Sequence, residues 1–299
     1  MDKNKLYFAY GSNLNATDLQ LWCNRKGCAY PLGEKFANAY LPDMELVFNY
    51  ASPEREGGVL NIRHRLGQAT PGVLFHIPSG DFSALDKKES APHVYKQLQV
   101  TALTEDGSAH DAIAYQVHSN LTEGGFILPD FEYLHVVMDG LAFHGIDDRM
   151  LKTVAKGKEA PWTIDRLFVY GTLMEGEPRH HLLDSWGNPV YEKEAHAPGL
   201  LYDSGQGYPC MVPVERGAAD QVVTGELYQI QDVRHAFEML DIVEGVRGYE
   251  SRISLFRRGI VLTTTAEGAR YPAWVYLYDK DIRTLSRIIS GSWRSENRK

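Results

Sequence analysis

At 299 residues, with 43% hydrophobic and 23% charged side chains, the chain has the length and composition of a globular protein of two ordinary domains, each able to bury a core. A formal net charge of −8 argues against a general affinity for nucleic acid, and no stretch reaches the roughly 18 apolar residues of a membrane span. The cysteines, Cys23, Cys28 and Cys210, contain no CxxC pair, which argues against a structural zinc site or a disulfide framework.

No sustained apolar run precedes Gly11. The expectation is a cytoplasmic protein with reduced thiols, without metal or cofactor, and with neither nucleic acid nor membrane as partner. The oligomeric state is not legible.

The first element is "YFAYGSNL", residues 7–14. Its apolar run reads as a strand buried on both faces. Gly11 permits a bend, and Ser12, Asn13 and Asn15 are capping residue types ahead of a helix beginning "ATDLQLWC". Such a strand-to-helix turn gathers free backbone N–H groups at one spot, where they can hold an anion such as a carboxylate. The alternative is a helix cap and nothing more. The phosphate-loop patterns GxxxxGK[ST] and GxGxxG are absent.

"TPGVLFHI" (70–77) reads as a strand, and "DFSALDKKE" (81–89) as a short helix opened by Asp81. Leu85 and Glu89, four apart, share a face. A carboxylate turned toward the core near a helix C-terminus is harder to ionise, because burial and the carbonyl end of the helix both oppose its charge. That makes Glu89 a candidate base near neutral pH; the alternative is a surface charge. Asp86, one residue along, reads as solvated or as a local cap. "AIAYQVHS" (112–119) is a strand around Tyr115, whose hydroxyl either finds a core partner or contacts a substrate.

Beyond it, Phe131, Leu134, Met138 and Leu141 fall at helical spacing, with Gly145 as the stop and Asp147 or Asp148 capping a second helix. The polar stretch 155–166, containing Pro161, reads as a linker. The pattern then repeats: "LFVYGTLM" (167–174), "VTGELYQI" (223–230), "DVRHAFEMLDIVE" (232–244, opened by Asp232) and "PAWVYLYD" (272–279, around Tyr276). The offsets are 160 from Tyr10 to Tyr170, 153 from Gly72 to Gly225, 155 from Leu85 to Leu240 and 161 from Tyr115 to Tyr276. Four matches in one order identify a tandem duplication. Glu244 and Asp241 take the places of Glu89 and Asp86. The last few residues, after "IISGSW", read as mobile.

Other chemistry finds no support. His180–His181 make no metal site by adjacency, HExxH and GxSxG are absent, and Cys210 in "GYPCMVP" has no evident base. An anion-holding turn with a glutamate base suits chemistry on a small anionic molecule.

"YFAYGSNL" with "LDKKE" and "AYQV" resembles the gamma-glutamyl cyclotransferases, and "FVYGTL", "GYPCMV", "VTGELYQI", "LDIVEG" and "WVYLY" resemble the gamma-glutamylamine cyclotransferase-like branch. The resemblance implies an α+β fold of two tandem domains, 1–157 and 164–299, each a small mixed β-barrel flanked by helices. It implies attack of a substrate's α-amine on its own γ-carbonyl, releasing 5-oxoproline and an amine. Glu89 and Glu244 would be the acid/base residues. Tyr10, Gly11, Ser12 and Asn13, and Tyr170, Gly171, Thr172 and Leu173, would grip the γ-glutamyl group, with the Tyr115 hydroxyl facing it and Tyr276 as the counterpart of Tyr115. The first domain has Ser90 where the second keeps Gly245, so the backbone there is expected to differ. The competing readings are a γ-glutamyl-ligand binding module with one or both domains inactive, and a hydrolase acting on other amides.

Overall fold

The computed structural model describes residues 5–184, 189–214, 221–249, 251 and 253–296. The chain divides into two compact units, one running to Ala102 and including His110–Thr163, the other comprising Leu103–Ala109 and the chain from Ile164 onward. The reading of the last residues as mobile lies, for 297–299, outside the described residues.

The first unit is built from β1 (Lys5–Ala9), α1 (Ala16–Lys26), β2 (Lys35–Ser52), β3 (Gly57–Ile77), α2 (Ser83–Lys88), β4 (Tyr95–Leu103), β5 (Ala109–Val117), α3 (Phe131–Phe143) and α4 (Arg149–Val154). Its strands close into a barrel in the order β1-β3-β2-β4-β5. The pairing is mixed, since β1 runs antiparallel to β3 but parallel to β5, at Tyr7 and Ile113. Phe8, Ile62, Leu74 and Leu85 are among its fully buried side chains.

The second unit contains β6 (Arg166–Val169), α5 (His181–Asp184), β7 (Val190–Pro198), β8 (Leu200–Asp203), β9 (Pro209–Val212), β10 (Val222–Gln229), α6 (Val233–Val243), β11 (Phe256–Thr265), β12 (Arg270–Tyr278), β13 (Ser286–Arg287) and α7 (Trp293–Glu296). Its barrel order, β10-β6-β12-β11-β7, is the first order with each strand replaced by its repeat, and β6 is again parallel to β12, at Leu167 and Trp274. Strands β13, β8 and β9 form a separate small sheet. The duplication seen in the sequence is therefore a duplication of topology.

Gly72 and Gly225 show why one pair of glycines recurs. A Cβ at Gly72 would strike the Ala9 carbonyl and lie 2.6 Å from the Phe8 ring; at Gly225 it would strike the Val169 carbonyl and lie 2.7 Å from the Phe168 ring. Only glycine lets β1 and β3, and likewise β6 and β10, approach this closely.

Helix α3 forms where the apolar spacing predicts, with Asp130 accepting from the Tyr133 N–H as its cap and Gly145 left-handed just beyond its end. Its buried face is Tyr133, Val137, Gly140 and Leu141, while Phe131 is 72% exposed. The predicted stripe was rotated because Gly140 makes room for the backbone at Leu14 and Asn15, which no apolar count registers.

Candidate active sites

Each barrel delivers its repeated motifs to one cavity. In the first, β1 ends at Ala9 and Tyr10 to Asn13 turn into the chain ahead of α1, whose N-cap is Asn15, its side chain accepting from the Asp18 N–H. Gly11 has an ordinary negative φ of −125°, so the turn does not need a glycine for its φ. Tyr10 donates across the barrel to the Tyr115 carbonyl at 2.5 Å, tying the turn to β5. Helix α2 ends at Glu89, whose N–H donates to the Leu85 carbonyl at 2.8 Å. The Asn13 amide donates to Glu89 Oε1 and to the Tyr7 hydroxyl, both at 2.8 Å. Since Glu89 and Tyr7 both accept from Nδ2, the amide orientation is set. Asn13 Oδ1 is then buried with no hydrogen-bond partner among the described residues.

The second unit repeats the frame. Tyr170 donates to the Tyr276 carbonyl at 2.7 Å, and the Glu244 N–H donates to the Leu240 carbonyl at 2.9 Å. Asp232 caps α6 through the His235 N–H. Tyr10, Gly11, Ser12, Asn13, Glu89 and Tyr115 all line the first cavity. Tyr170, Gly171, Thr172, Leu173, Glu244 and Tyr276 all line the second.

Two local expectations change. The backbone at Ser90 does not depart from that at Gly245: both are left-handed, with φ of 50° and 66°. The following N–H closes the same turn, from Ala91 to Asp86 and from Val246 to Asp241, each at 2.8 Å. Nor are Asp86 and Asp241 solvated bystanders. Tyr115 donates to Asp86 at 2.6 Å and Tyr276 donates to Asp241 at 2.8 Å, so each repeated tyrosine hydroxyl is engaged by the repeated aspartate. The Leu-Asp-x-x-Glu repeat held that signal in its second position.

The environments diverge. The first cavity is about 660 Å³, within the range of about 300–1,000 Å³ typical of ligand sites. Its walls include Tyr50, Arg55, Tyr95 and Tyr133, from the long β2–β3 hairpin, β4 and α3. Lys88 reaches in and donates to Ser12 Oγ at 3.2 Å, and burial is the main reason its pKa is lowered. None of these was singled out in the sequence, because none lies at a repeated position of the motifs shared by the two halves.

The second cavity is about 110 Å³ and mostly apolar, walled by Phe168, Leu173, Pro209, Val243, Leu255 and Phe256. Leu173 stands where Asn13 stands in the first, and Val243 where Lys88 stands. Glu244 is 9% exposed, and no described residue hydrogen-bonds its carboxylate. Burial pushes it up to about 7; the Arg179 charge opposes the rise and Asp241 adds to it. No group of three or more His, Cys, Asp or Glu residues that could hold a metal occurs among the described residues. No described helix is long and apolar enough to cross a membrane.

The chain matches the family model described as "Gamma-glutamyl cyclotransferase, AIG2-like" over residues 167–295 and that of the "AIG2-like family" over 71–153. It is 31% identical over 115 residues to the Gamma-L-glutamyl-butirosin B gamma-glutamyl cyclotransferase of Niallia circulans, covering 38% of this chain and 67% of that protein. A Vibrio cholerae protein named for the same cyclotransferase activity is 33% identical over 127 residues, 42% of this chain and 93% of its own. Among solved structures, one titled "Gamma-glutamyl cyclotransferase" aligns over 52% of this chain and 89% of its own at 23% identity, with a TM-score of 0.43. The chain belongs to the gamma-glutamyl cyclotransferase family and carries its domain twice in tandem.

Proposed function

We propose that both domains, 1–157 and 164–299, are catalytic, each releasing 5-oxoproline from a γ-glutamyl amide, with Glu89 and Glu244 as acid/base residues. The observation that carries this is the repeated placement of a glutamate at the end of a short helix, inside a cavity, beside the Tyr-Gly turn. In the second domain that glutamate is near half-ionised at neutral pH, which suits a group that takes and returns a proton.

The substrate's α-ammonium gives a proton to the glutamate, and the free amine attacks the γ-carbonyl carbon. The new C–N bond closes the five-membered lactam, the α-nitrogen sheds a second proton, and the bond to the departing nitrogen breaks. Both protons end on the leaving amine, which departs as an ammonium; the glutamate carries at least the first. Because nucleophile and electrophile belong to one molecule, the protein's main task is to hold the chain folded. The turns at Tyr10–Asn13 and Tyr170–Leu173 would grip the γ-glutamyl end. The orphaned Asn13 Oδ1 offers an acceptor to the α-ammonium beside Glu89. Tyr115 and Tyr276, their hydroxyls engaged by Asp86 and Asp241, contribute ring surface and orient the aspartates.

The protein acts, on this reading, in the cytoplasm on small γ-glutamyl amides. The test is 5-oxoproline release from a panel of γ-glutamyl amino acids and amines by wild type, Glu89→Gln and Glu244→Gln, each checked for folding by circular dichroism. Activity lost in part by each single variant and wholly by the pair supports the reading. A free glutamate product would favour a hydrolase, and ligand-raised melting temperature without product would favour a binding module.

A further inference from the structure

Each cavity holds a cation against its Tyr-Gly turn, and the two come from non-equivalent places; Arg25, Lys26 and Arg55 also line the first cavity. In the first domain it is Lys88, at the last residue of α2, bonded to Ser12 of the Tyr-Gly turn. Its counterpart in the second is Val243, which has no charge. There the cation is Arg179, in the segment after the turn, its own N–H donating to the Thr172 carbonyl at 2.9 Å. Arg179 lines the second cavity and acts electrostatically on Glu244, although no ion pair within 4.0 Å joins them. Lys88 in the first half and Arg179 in the second are each hydrogen-bonded to the Tyr-Gly turn of their own domain.

Resting on the cyclotransferase reading above, we infer that Lys88 and Arg179 are the counter-charges for the α-carboxylate of the γ-glutamyl group, one in each domain. The α-carbon of that group carries an ammonium and a carboxylate on adjacent atoms. Once the ammonium is turned toward Glu89 and the orphaned Asn13 Oδ1, the carboxylate must lie close by, toward the Gly11–Ser12 backbone. Lys88 stands there with one of its three N–H donors committed to Ser12. The half-buried site makes that pairing stronger than one in open water. Burial lowers the pKa of Lys88, and an anion placed beside it would oppose that effect. Arg179 is exposed at its cavity mouth, so its contribution is the smaller.

The test compares L-γ-glutamyl-L-alanine with 4-aminobutyryl-L-alanine, which lacks only the α-carboxylate and would give 2-pyrrolidinone. The first domain is read in a Glu244→Gln background and the second in a Glu89→Gln background. Lys88→Met should raise KM for the carboxylated substrate about ten- to hundredfold and shrink its preference over the decarboxylated one by the same factor, with kcat little changed. Lys88→Arg should restore most of the preference. Arg179→Met should do the same to the second domain by about three- to tenfold. A preference unchanged by either substitution, or equal losses on both substrates, overturns the inference. If wild type forms no lactam at all, the cyclotransferase reading fails, and titration calorimetry decides the inference separately. Binding of 5-oxoproline, but not of neutral 2-pyrrolidinone, weakened by Lys88→Met and Arg179→Met sustains it. Absence of binding, or binding indifferent to both, rejects it.

Discussion

Asn13 and Leu173 occupy the same place in the two Tyr-Gly turns, and they mark the difference between the surroundings of the two glutamates. Asn13 holds Glu89 through an amide donor in a wide, polar space, whereas Leu173 helps enclose Glu244 in a narrow, apolar one. The backbone that presents the two carboxylates is the same down to the turn that follows them. The scaffold is thus the same and the walls differ, which is how one fold comes to offer two carboxylate environments.

The largest effect should come from the glutamates themselves. Glu89→Gln and Glu244→Gln should each lower turnover by their own domain by about 10²–10⁴-fold, read as 5-oxoproline release. In the Glu89→Gln background, kcat/KM should rise with pH through about 7, as Glu244 loses its proton. The same shift has a stability sign. Folding raises this carboxyl from 4.5 to about 7, so the folded chain holds a proton that the unfolded chain releases across that window. Stability therefore falls as pH rises through it, by about 3 kcal/mol in all. Glu244→Gln should raise the melting temperature at pH 8 and change it little at pH 4. Equal shifts at both pH values would mean that Glu244 ionises as an ordinary carboxylate.

Next come the paired aspartates. Arg258 is 4% exposed, with Nε 3.3 Å from Asp241 Oδ1 and its guanidinium over the Phe237 ring at 4.8 Å. Asp241→Asn takes away the anion beside a buried cation and should cost about 3 kcal/mol in urea unfolding. In the first domain the corresponding partner of Asp86 is the exposed, neutral Gln97 amide at 2.8 Å. Asp86→Asn should cost about 1 kcal/mol or less. Similar costs would show that Arg258 does not depend on Asp241.

The third contrast exchanges the turn residues. Asn13→Leu removes the donor to the buried Tyr7 hydroxyl and frees Glu89 to swing, costing about 1–3 kcal/mol of stability and about tenfold in first-domain turnover. Leu173→Asn offers Glu244 a donor, which favours its charged form. The second domain's pH profile should move to lower pH, and a profile that stays at about 7 would place the new amide out of reach.

What the sequence revealed was what both halves retain. Glycines at 72 and 225, tyrosines at 10 and 170, and glutamates at 89 and 244 recur because strand approach, cross-barrel bonding and the site impose the same demand twice. Lys88, Arg55, Tyr133 and Arg179 were invisible because each belongs to one half only and reads locally as a surface charge or a helix aromatic. Their role depends on the closure of the barrel, which brings residues from distant segments to one mouth. The Tyr115–Asp86 and Tyr276–Asp241 bonds span 29 and 35 residues, and only the fold discloses them.

The smallest effect is the most direct measure of how faithfully the frame was copied. Ser90 and Gly245 both take the left-handed conformation after their glutamates, and a side chain there costs about 1 kcal/mol. Among the described residues, a Cβ at Gly245 would meet Leu255 at an ordinary 3.5 Å and would not be crowded. Gly245→Ser should therefore destabilise by about 1 kcal/mol through its φ alone. Ser90→Gly should gain only about 0.5 kcal/mol, because the glycine that relieves the folded backbone also loosens the unfolded chain. The sign matters more than the size. If Ser90→Gly destabilises, the serine side chain must be making a contact that outweighs its strain, and the two helix ends would be equivalent in shape but not in what holds them. If both substitutions follow φ, the first domain has carried a strained copy of the second domain's turn, and the demand that preserved it is the position of the glutamate just before.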